Sequence, residues 1–442
     1  MKKAIIILSV LFTINLSAQD KQWTLRACVD YALENNISVK QSELDLKTSE
    51  INKKDAIGNF LPSFNASASN SWSIGLSQDP VTFSAVTATT KNLAGSISSN
   101  LNLYDGLRNI NQLYRSNLAI LASKYQLDNM KDDISLFVAN SFLQILFNKE
   151  QLKTLQTQIE VSKQELDRTK ELVEAGSLPK GDVLEIQATV ATQEQQIVNA
   201  ENAIIISKIQ LAQTLLIEDY ENFDIIDIDY NVPLTRILNE SPSLIIAKAK
   251  ETRNQIKLAE TNTKIAEVDL KVAKGALQPT LAVSYSFSSN YFTSGLFDTP
   301  DFETQMTDNK SHNIGLRLSI PIFNKFSLGN EVKRRKVGLE RSKNQLEQAS
   351  LDLETKVYQA YNDTKGALKA YEAANKTLDA REEAFNYSKE RYNVGLLNAF
   401  DYSQSLNRYE VAQSEVIRTK YDYIFKIKVL EFYFGIPITD IN

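Results

Sequence analysis

The residue types that carry most catalytic and metal chemistry are nearly missing from this chain. Cys28 and His312 are the only cysteine and histidine among its 442 residues. A zinc site built from histidine and cysteine and an intrachain disulfide are therefore excluded. A serine–histidine–aspartate enzyme would have to use His312, which lies in a segment rich in Asp, Asn, Lys and Ser. Acidic residues are plentiful, but no pair stands apart from the solvated faces of predicted helices, so we expect no enzyme, no cofactor and no metal site.

A different combination of residue types recurs at one spacing. Gly176 precedes Asp182 in EAGSLPKGDV, and Gly395 precedes Asp401 at the same spacing in NVGLLNAFDY. Glycine readily takes the left-handed backbone conformation that ends a helix. An aspartate at the start of the next helix can accept hydrogen bonds from its free N–H groups. Each pair is therefore a helix stop followed by a helix cap, which predicts two helix-to-helix turns.

The two pairs belong to a longer internal duplication. The segments AIGNFLPSF and AKGALQPTL correspond to each other, as do LYDG with IFNK and SKYQL with SKNQL, in the same order in both halves. Self-similarity of this kind indicates that one structural unit occurs twice. We therefore predict two structural repeats, residues 19–225 and 226–442, behind a signal peptide at residues 1–18.

The first eighteen residues have the three parts of a secretory signal peptide. Two lysines are followed by an apolar run from Ala4 to Phe12 and by the small pair Ser17-Ala18. Cys28 lies well beyond this point and is predicted to be a buried helix residue. No later segment is long and apolar enough for a spanning helix. The net charge of −5 and the dispersed lysines and arginines give no indication of a nucleic-acid partner.

Each repeat is predicted to run helix, strand, strand, very long helix, turn and helix. The first helices are predicted from Leu25 to Phe60 and from Ser243 to Leu277, and apolar residues then alternate with small polar ones, as in strands. Glycine and proline are absent between Leu107 and Ala175. Heptad seams are predicted at Leu152, Ile159, Leu166 and Val173, and from Leu353 to Leu378. The predicted strands are about 62–75, 95–104, 279–290 and 313–323; the long helices are 107–175 and 330–394; the return helices are 182–216 and 401–434; the loops 76–94 and 290–312 are predicted to be extracellular.

Four strands cannot close a barrel by themselves and leave open edges. One interpretation is a barrel shared between several chains, with apolar side chains facing lipid and small polar ones facing water. An ordinary soluble sheet shows the same alternation, so this pattern alone leaves both interpretations open. The long helices, polar outside their seams, need partners along their whole length.

The combination of these features resembles the TolC family of outer-membrane efflux and secretion ducts. The residues that carry the resemblance are FLPSF before the first strand, LYDG after the second, the duplicated unit and the two glycine–aspartate turns. It covers essentially the whole mature chain. It implies a mainly α-helical fold with a membrane β-barrel, in which a homotrimer builds twelve strands from four per chain and a long periplasmic α-helical coiled-coil tunnel.

The resemblance also implies a location and partners. The chain would lie in the outer membrane of a Gram-negative bacterium, in contact with outer-membrane lipid and with a large periplasmic part. It would passively conduct substrates as the channel of a tripartite efflux or type I secretion system. Its partners would be a periplasmic adaptor, or membrane fusion protein, and an inner-membrane pump of the RND or ABC type.

Particular residues are placed at the periplasmic end of the tunnel by the same resemblance. Asp182 and Tyr392 match a gate hydrogen-bond pair, and Asp401 matches an acidic residue that rings the constriction. The residues implied to contact the adaptor are Gly176, Ser177, Leu178, Gly395, Leu396 and Leu397. The chain departs from gated members at Leu397, where they have a basic residue, and at Gln404, where a second pore-lining acid would stand.

Two rival functions belong to other classes of protein. A secreted structural or adhesive coiled-coil protein would use the same helices with a soluble sheet and no channel. An adaptor subunit would carry one helical hairpin between β-rich halves, and the duplicated hairpin disfavours that alternative.

Overall fold

The computed structural model describes residues 23–78, 81–228, 230, 232 and 236–439, so the predicted signal peptide lies outside the described residues. Helices and strands follow one another in the predicted order. In chain order they are α1 (Leu25–Asn35), α2 (Ile37–Gly58), β1 (Ser63–Gln78), β2 (Ala85–Tyr104), α3 (Arg108–Glu174), α4 (Lys180–Leu215), α5 (Pro242–Thr252), α6 (Asn254–Gly275), β3 (Thr280–Ser294), α7 (Phe302–Asp308), β4 (Ser311–Ser319), α8 (Ser327–Asn393) and α9 (Ala399–Phe434), with a 3₁₀ helix at Arg236–Asn239.

The helix lengths repeat between the two halves. The long helices α3 and α8 have 67 residues each, and the return helices α4 and α9 have 36 each. At 1.5 Å per residue, each long helix measures roughly 100 Å along its axis. No described helix contains an apolar stretch long enough to cross a lipid bilayer.

The first helix of each repeat is broken once, which the sequence pattern did not predict. Asn36 separates α1 from α2, and Arg253 separates α5 from α6; both have extended backbone angles. Asn36 accepts a hydrogen bond from the N–H of Ser38 at 2.9 Å and donates one to the carbonyl of Thr214 at 3.1 Å. A side chain that bonds locally to the backbone competes with helical hydrogen bonding, which accounts for this break.

The strands form one antiparallel sheet in the order β1-β2-β3-β4. Phe64 pairs with Ser99, Ser99 with Tyr285, and Leu281 with Leu318. Large apolar side chains on the outer strands are exposed in the single chain, among them Phe64, Trp72, Ile74, Ile314, Leu316 and Leu318.

Several strand boundaries differ from prediction. β2 begins at Ala85, inside the predicted loop 76–94, because its threonine-rich first half pairs with β1 and β-branched residues suit strands. His312 lies in β4 and not in a loop, and its Nδ1 is 3.0 Å from the Tyr285 hydroxyl. β4 ends at Ser319, short of the predicted residue 323, in keeping with Pro321, which lacks an N–H for the ladder. The predicted loop 290–312 contains the end of β3 and the helix α7.

The chain divides into two compact units that do not follow the predicted repeats, since each takes residues from both. The helical unit comprises Met1–Lys40, Met130–Thr252 and Leu353–Asn442; the sheet unit comprises Gln41–Asn129 and Arg253–Asp352. The main core of the helical unit includes Phe142, Leu146 and Ile424, and the fully buried Cys28 of α1, as predicted.

Candidate functional site

The candidate site is the part of the helical unit where α3 turns into α4 and α8 turns into α9. Gly176 and Gly395 each have a φ of +73°. The N–H of Ser177 donates to the carbonyl of Leu172, and the N–H of Leu396 donates to that of Arg391, both at 2.8 Å. This is the Schellman pattern that ends a helix on a left-handed residue. No atom lies within 4 Å of a Cβ built on either glycine, so glycine is needed here for its backbone conformation and not for space.

The starts of the two return helices differ from prediction. Helix α4 begins at Lys180 behind Pro179, which offers no side-chain cap. Helix α9 begins at Ala399 behind Asn398, whose side chain accepts a hydrogen bond from the N–H of Asp401 at 2.8 Å. Asp182 and Asp401 are each the third helical residue, so the prediction that both cap a helix is wrong. Asn398 caps α9 and donates its Nδ2 to the Asp401 carboxylate at 3.0 Å.

Both turns pack on one apolar cluster, here called the tip cluster. Its buried members are Ile186, Phe385, Tyr392, Ala399, Tyr402 and Leu406. Leu178 and Leu397, at matching places in the two turns, pack against it from partly buried positions. The remaining predicted adaptor-contact residues, Gly176, Ser177, Gly395 and Leu396, are exposed.

Aromatic rings fill the tip cluster. Tyr392 stacks on Tyr402 with ring centroids 4.7 Å apart, and Phe385 stacks on Tyr409 at 5.4 Å. Phe385 also contacts Tyr402, with centroids 5.7 Å apart, which links the two stacks. Offset aromatic stacks add to the energy of burial, so they hold α8 against α9 close to the turn.

Tyr392 is 4% exposed, and its hydroxyl lies 3.1 Å from Oγ1 of Thr169 on α3. Among the described residues, Tyr392 makes this hydrogen bond and none to Asp182, in contrast to the predicted pair. Asp182 is half-buried, and its charge acts on Tyr392 only from a distance. Burial raises the pKa of the Tyr392 hydroxyl, the bond to Thr169 opposes that shift, and the charges of Glu165 and Asp182 add to it.

One buried face of α3 is polar where an apolar seam was predicted. Leu152, Leu166 and Val173 of that seam are only partly buried, whereas Ile159 is buried. The other buried residues of this face include Gln158, Ser162, Glu165 and Thr169. Among the described residues, Ser162 Oγ, Glu165 Oε1 and Tyr402 OH are buried without a hydrogen-bond partner. Buried polar atoms without partners cost free energy, so this part of the core is less tightly determined than an apolar one.

A second polar contact joins the return helices. Gln193 of α4 donates from Nε2 to Oε1 of Glu410 on α9, at 2.6 Å, and Glu410 is 8% exposed. Burial raises the pKa of the Glu410 carboxyl from its ordinary 4.5 to about 7, against the opposing effect of the Gln193 hydrogen bond. The carboxyl can therefore gain or lose its proton near neutral pH.

The polar groups of the site connect helices in pairs. Thr169 and Tyr392 link α3 to α8, and Gln193 and Glu410 link α4 to α9. In the described part of the chain, no three His, Cys, Asp or Glu side chains gather as metal ligands would.

Comparison with known families decides between the interpretations left open by the sequence. The model of the outer membrane efflux protein family matches residues 28–215 and 245–432, one segment in each half. The chain belongs to the outer membrane efflux protein family. It is accordingly an outer-membrane protein, and the alternative of a secreted adhesive protein receives no support from this match.

Two relatives within the efflux family show how far the sequence likeness extends. The pyoverdine export outer membrane protein OpmQ of Pseudomonas aeruginosa is 26% identical over 283 residues, which cover 64% of this chain and 57% of OpmQ. The outer membrane protein TolC of Escherichia coli is 24% identical over 313 residues, covering 68% of this chain and 60% of TolC. The chain thus aligns with less than two thirds of the length of these curated relatives.

The fold is shared with solved efflux channels at lower sequence identity. The structure of the outer-membrane channel OprN superposes with a TM-score of 0.78 at 18% identity, covering 94% of this chain and 90% of that one. The mainly helical fold with a four-stranded antiparallel sheet is therefore that of an outer-membrane efflux channel, as the sequence resemblance predicted.

Sequence reasoning placed the turns of this efflux-family chain correctly but missed four polar residues beside them. The sequence pattern did not single out Thr169, Glu165, Gln193 or Glu410, yet all four are buried. Gln158, Ser162, Glu165 and Thr169 recur at spacings of four, three and four, which is the spacing of one helix face. That periodicity was available as a signal of a polar buried face.

Proposed function

We propose that this chain is the outer-membrane channel of a tripartite efflux or type I secretion system. In this role it passively conducts substrates from an inner-membrane pump and a periplasmic adaptor across the outer membrane. One observation carries the proposal. On β4, Ile314, Leu316 and Leu318 are 78%, 69% and 62% exposed, and they alternate with Gly315 and Arg317 on the other face. An uncovered apolar face backed by small and polar residues is what a strand between lipid and water requires.

The sheet supports assembly into a homotrimer. Four strands are too few to close around a channel, and open strand edges are not tolerated in a membrane. Three copies would supply twelve strands and leave no edge. The long helices of each copy would then form the periplasmic tunnel.

The exposed turns support docking of an adaptor. Leu396, Val394 and Phe400 are exposed apolar side chains around the second turn, and Leu178 and Leu397 support the two turns from the tip cluster. We assign adaptor contact to Gly176, Ser177, Leu178, Gly395, Leu396 and Leu397. The pump beyond the adaptor would be of the RND or ABC type.

A gate is proposed at the same end of the tunnel. Asp401 is exposed at the start of α9 and would contribute one carboxylate per chain to an acidic ring. Tyr392, with Thr169 as its partner, would hold α8 to α3 in the closed state, with Asp182 nearby. Opening would break this bond and shift α8 and α9 away from α3.

The test is purification of the full chain from outer membranes, followed by reconstitution in planar bilayers. We expect extraction only with detergent, a trimer that dissociates on heating, and discrete conductance steps. Release as a soluble monomer without conductance would contradict the proposed function.

A further inference from the structure

Two turns in the sheet unit each lead from a strand into a long helix, and the two turns have the same backbone conformation. Gly106 and Leu107 precede α3 with φ of +74° and +64°, and Lys325 and Phe326 precede α8 with φ of +54° and +64°. In the first turn Asp105 accepts a hydrogen bond from the N–H of Asn109 at 2.9 Å. Asn324 accepts one from the N–H of Leu328 at 3.3 Å in the second. The two turns are therefore copies of one structure.

The first turn packs on the other repeat of the same chain. A Cβ built on Gly106 would lie 2.1 Å from the carbonyl oxygen of Gly275, the last residue of α6, and one on Gly275 would lie 2.4 Å from the carbonyl oxygen of Gly106. Only glycine permits such an approach of two backbones. Beside it, the Tyr104 hydroxyl donates to Oε1 of Gln278. These four residues form the in-chain junction.

Gly58, the counterpart of Gly275, has no such contact within the described part of the chain. Gly58 ends α2 as Gly275 ends α6, and the turn after it repeats: the N–H of Leu61 donates to Gly58 at 2.9 Å, and that of Gln278 donates to Gly275 at 3.0 Å. A Cβ built on Gly58 meets no atom within 4 Å. Glycine at this position therefore has no steric reason inside one chain.

At the second copy of the junction, the Tyr104–Gln278 pair is replaced by two apolar side chains that a single chain leaves exposed. Leu61 stands at the place of Gln278, and Phe323 at the place of Tyr104. Leu61 is 63% exposed and Phe323 is 73% exposed. The hydrogen-bonded Tyr–Gln pair of the in-chain junction thus corresponds to an apolar Phe–Leu pair that is open to solvent in a single chain. Contact between Leu61 and Phe323 would bury both side chains.

We propose that Phe323 of one copy packs on Leu61 of a second copy, at the place that Tyr104 and Gln278 occupy in the in-chain junction. Lys325 has a Cβ where Gly106 has none, so the two backbones stay further apart between copies than within one chain. This inference rests on the proposed homotrimer and specifies its contacts. β1 and β4 are the outer strands of the sheet, about 14 Å apart at normal strand spacing, so the two surfaces belong to opposite edges. A head-to-tail contact of this kind uses different surfaces on the two copies, and it closes into a ring when the rotation between copies is that of the proposed trimer.

The same correspondence fixes the register between copies. Phe64 pairs with Ser99 in the first hairpin and Leu281 pairs with Leu318 in the second, so Ser99 corresponds to Leu318. Ser99 of the first repeat pairs with Tyr285 of the second, and Tyr285 corresponds to Ala68. Applied between copies, the same pairing places Leu318 of one copy opposite Ala68 of the next. By the same rule Leu316 lies opposite Asn70. Residues directly opposite in antiparallel strands face the same side, and these positions all belong to the apolar face.

Disulfide crosslinking tests the register. In a Cys28→Ala background, which removes the single native thiol, Leu318→Cys is combined with Ala68→Cys and oxidised in outer membranes. We expect covalent dimers and trimers on a non-reducing gel, because opposite residues bring their Cβ atoms within disulfide range. The matched control, Leu318→Cys with Trp72→Cys, lies on the same face four residues out of register and should remain monomeric on the gel.

The possible failures are distinguishable. A trimer that crosslinks through Trp72→Cys and not through Ala68→Cys overturns the register while leaving the proposed channel intact. A protein that is monomeric in outer membranes and crosslinks with neither pair overturns both.

An exchange of side chains tests the junction itself. Leu61→Gln and Phe323→Tyr together transplant the hydrogen-bonded pair of the in-chain junction to the proposed interface. Each single substitution should lower the dissociation temperature of the trimer, and the double variant should recover most of the loss, since the two residues interact only between copies. Additive effects of the two substitutions, with helical content unchanged, would overturn the contact.

Discussion

The two helix-to-helix turns share one backbone and differ in their side chains. Gly176 and Gly395 have the same φ, and the hydrogen bonds that close the two turns have the same length. Leu178 and Leu397 pack on the same cluster. The geometry needed to reverse a long helix has thus been kept in both repeats.

The side chains beyond the glycines have diverged. In the first turn, Pro179 precedes α4 and offers the N–H of Asp182 no side-chain cap. In the second turn, Asn398 precedes α9 and its side chain hydrogen-bonds to Asp401. The exposed Leu396 stands where the first turn has Ser177, and the buried Glu410 stands where α4 has Ala191. Beyond the helix stop that both turns share, the second turn therefore carries the ionisable and apolar groups that the proposed gate and docking surface would use.

The largest expected effect comes from Glu410, which has no counterpart in the first repeat. Its folded pKa is raised to about 7 from 4.5, so folding favours the protonated form. The stability it contributes is fully present below pH 4.5 and is lost as pH rises through 7, by about 3 kcal/mol. We expect Glu410→Gln to flatten this part of the stability profile, measured by chemical denaturation from pH 4 to 8. The same slope in the variant would show that another group is responsible.

The glycines should be equally sensitive in both turns. An alanine at φ of +73° is strained by about 1–2 kcal/mol, and no neighbouring atom adds to or relieves that strain. We expect Gly176→Ala and Gly395→Ala each to lower the free energy of unfolding by this amount, measured by denaturant titration. A large difference between the two variants would break the equivalence of the turns.

The caps should be unequal. Asn398→Ala removes the side-chain cap of α9 and should cost about 1 kcal/mol. Pro179→Ala removes no capping hydrogen bond and serves as the matched variant in the first turn, with an expected change within about 0.5 kcal/mol. Equal losses from the two substitutions would mean that the Asn398 bonds contribute little.

The smallest effect on stability is expected from Leu396→Ser, which makes the second turn resemble the first. Leu396 is exposed, so the free energy of unfolding should change by less than about 0.5 kcal/mol. Binding of the adaptor, measured by pull-down of the assembled complex, should nevertheless weaken. Val198→Ser, at an exposed apolar position of α4 outside the turns, is the control, and unchanged adaptor binding in Leu396→Ser would remove Leu396 from the docking surface.

The sequence predicted most of the fold because the decisive signals are local. The long helices follow from stretches without glycine or proline, and their ends follow from Gly176 and Gly395. The cap at Asn398 could also be predicted, because Asn followed three residues later by an acid resembles a capping box. The glycine–aspartate spacing led instead to the prediction of Asp401 as the cap.

The burial of the polar residues could not be predicted from residue type, and only their spacing on α3 indicated a buried face. Glu410 and Glu165 have the composition of a solvated helix face, and their burial is decided by which helices pack on α3 and α9. The apolar residues Leu152, Leu166 and Val173 suggested a seam on a neighbouring face of α3. Tertiary packing selected the face that carries Ser162 and Thr169 instead.

The most direct test of the account is block of single channels by a multivalent cation added on the side of the turns. In the proposed gate, the exposed Asp401 carboxylates of the second turn form a ring, whereas the half-buried Asp182 lies outside it. Asp401→Ala should weaken the block about tenfold, the equivalent of roughly 1.4 kcal/mol of lost attraction, while Asp182→Ala should be blocked like the wild type. Unchanged block in Asp401→Ala would contradict the account.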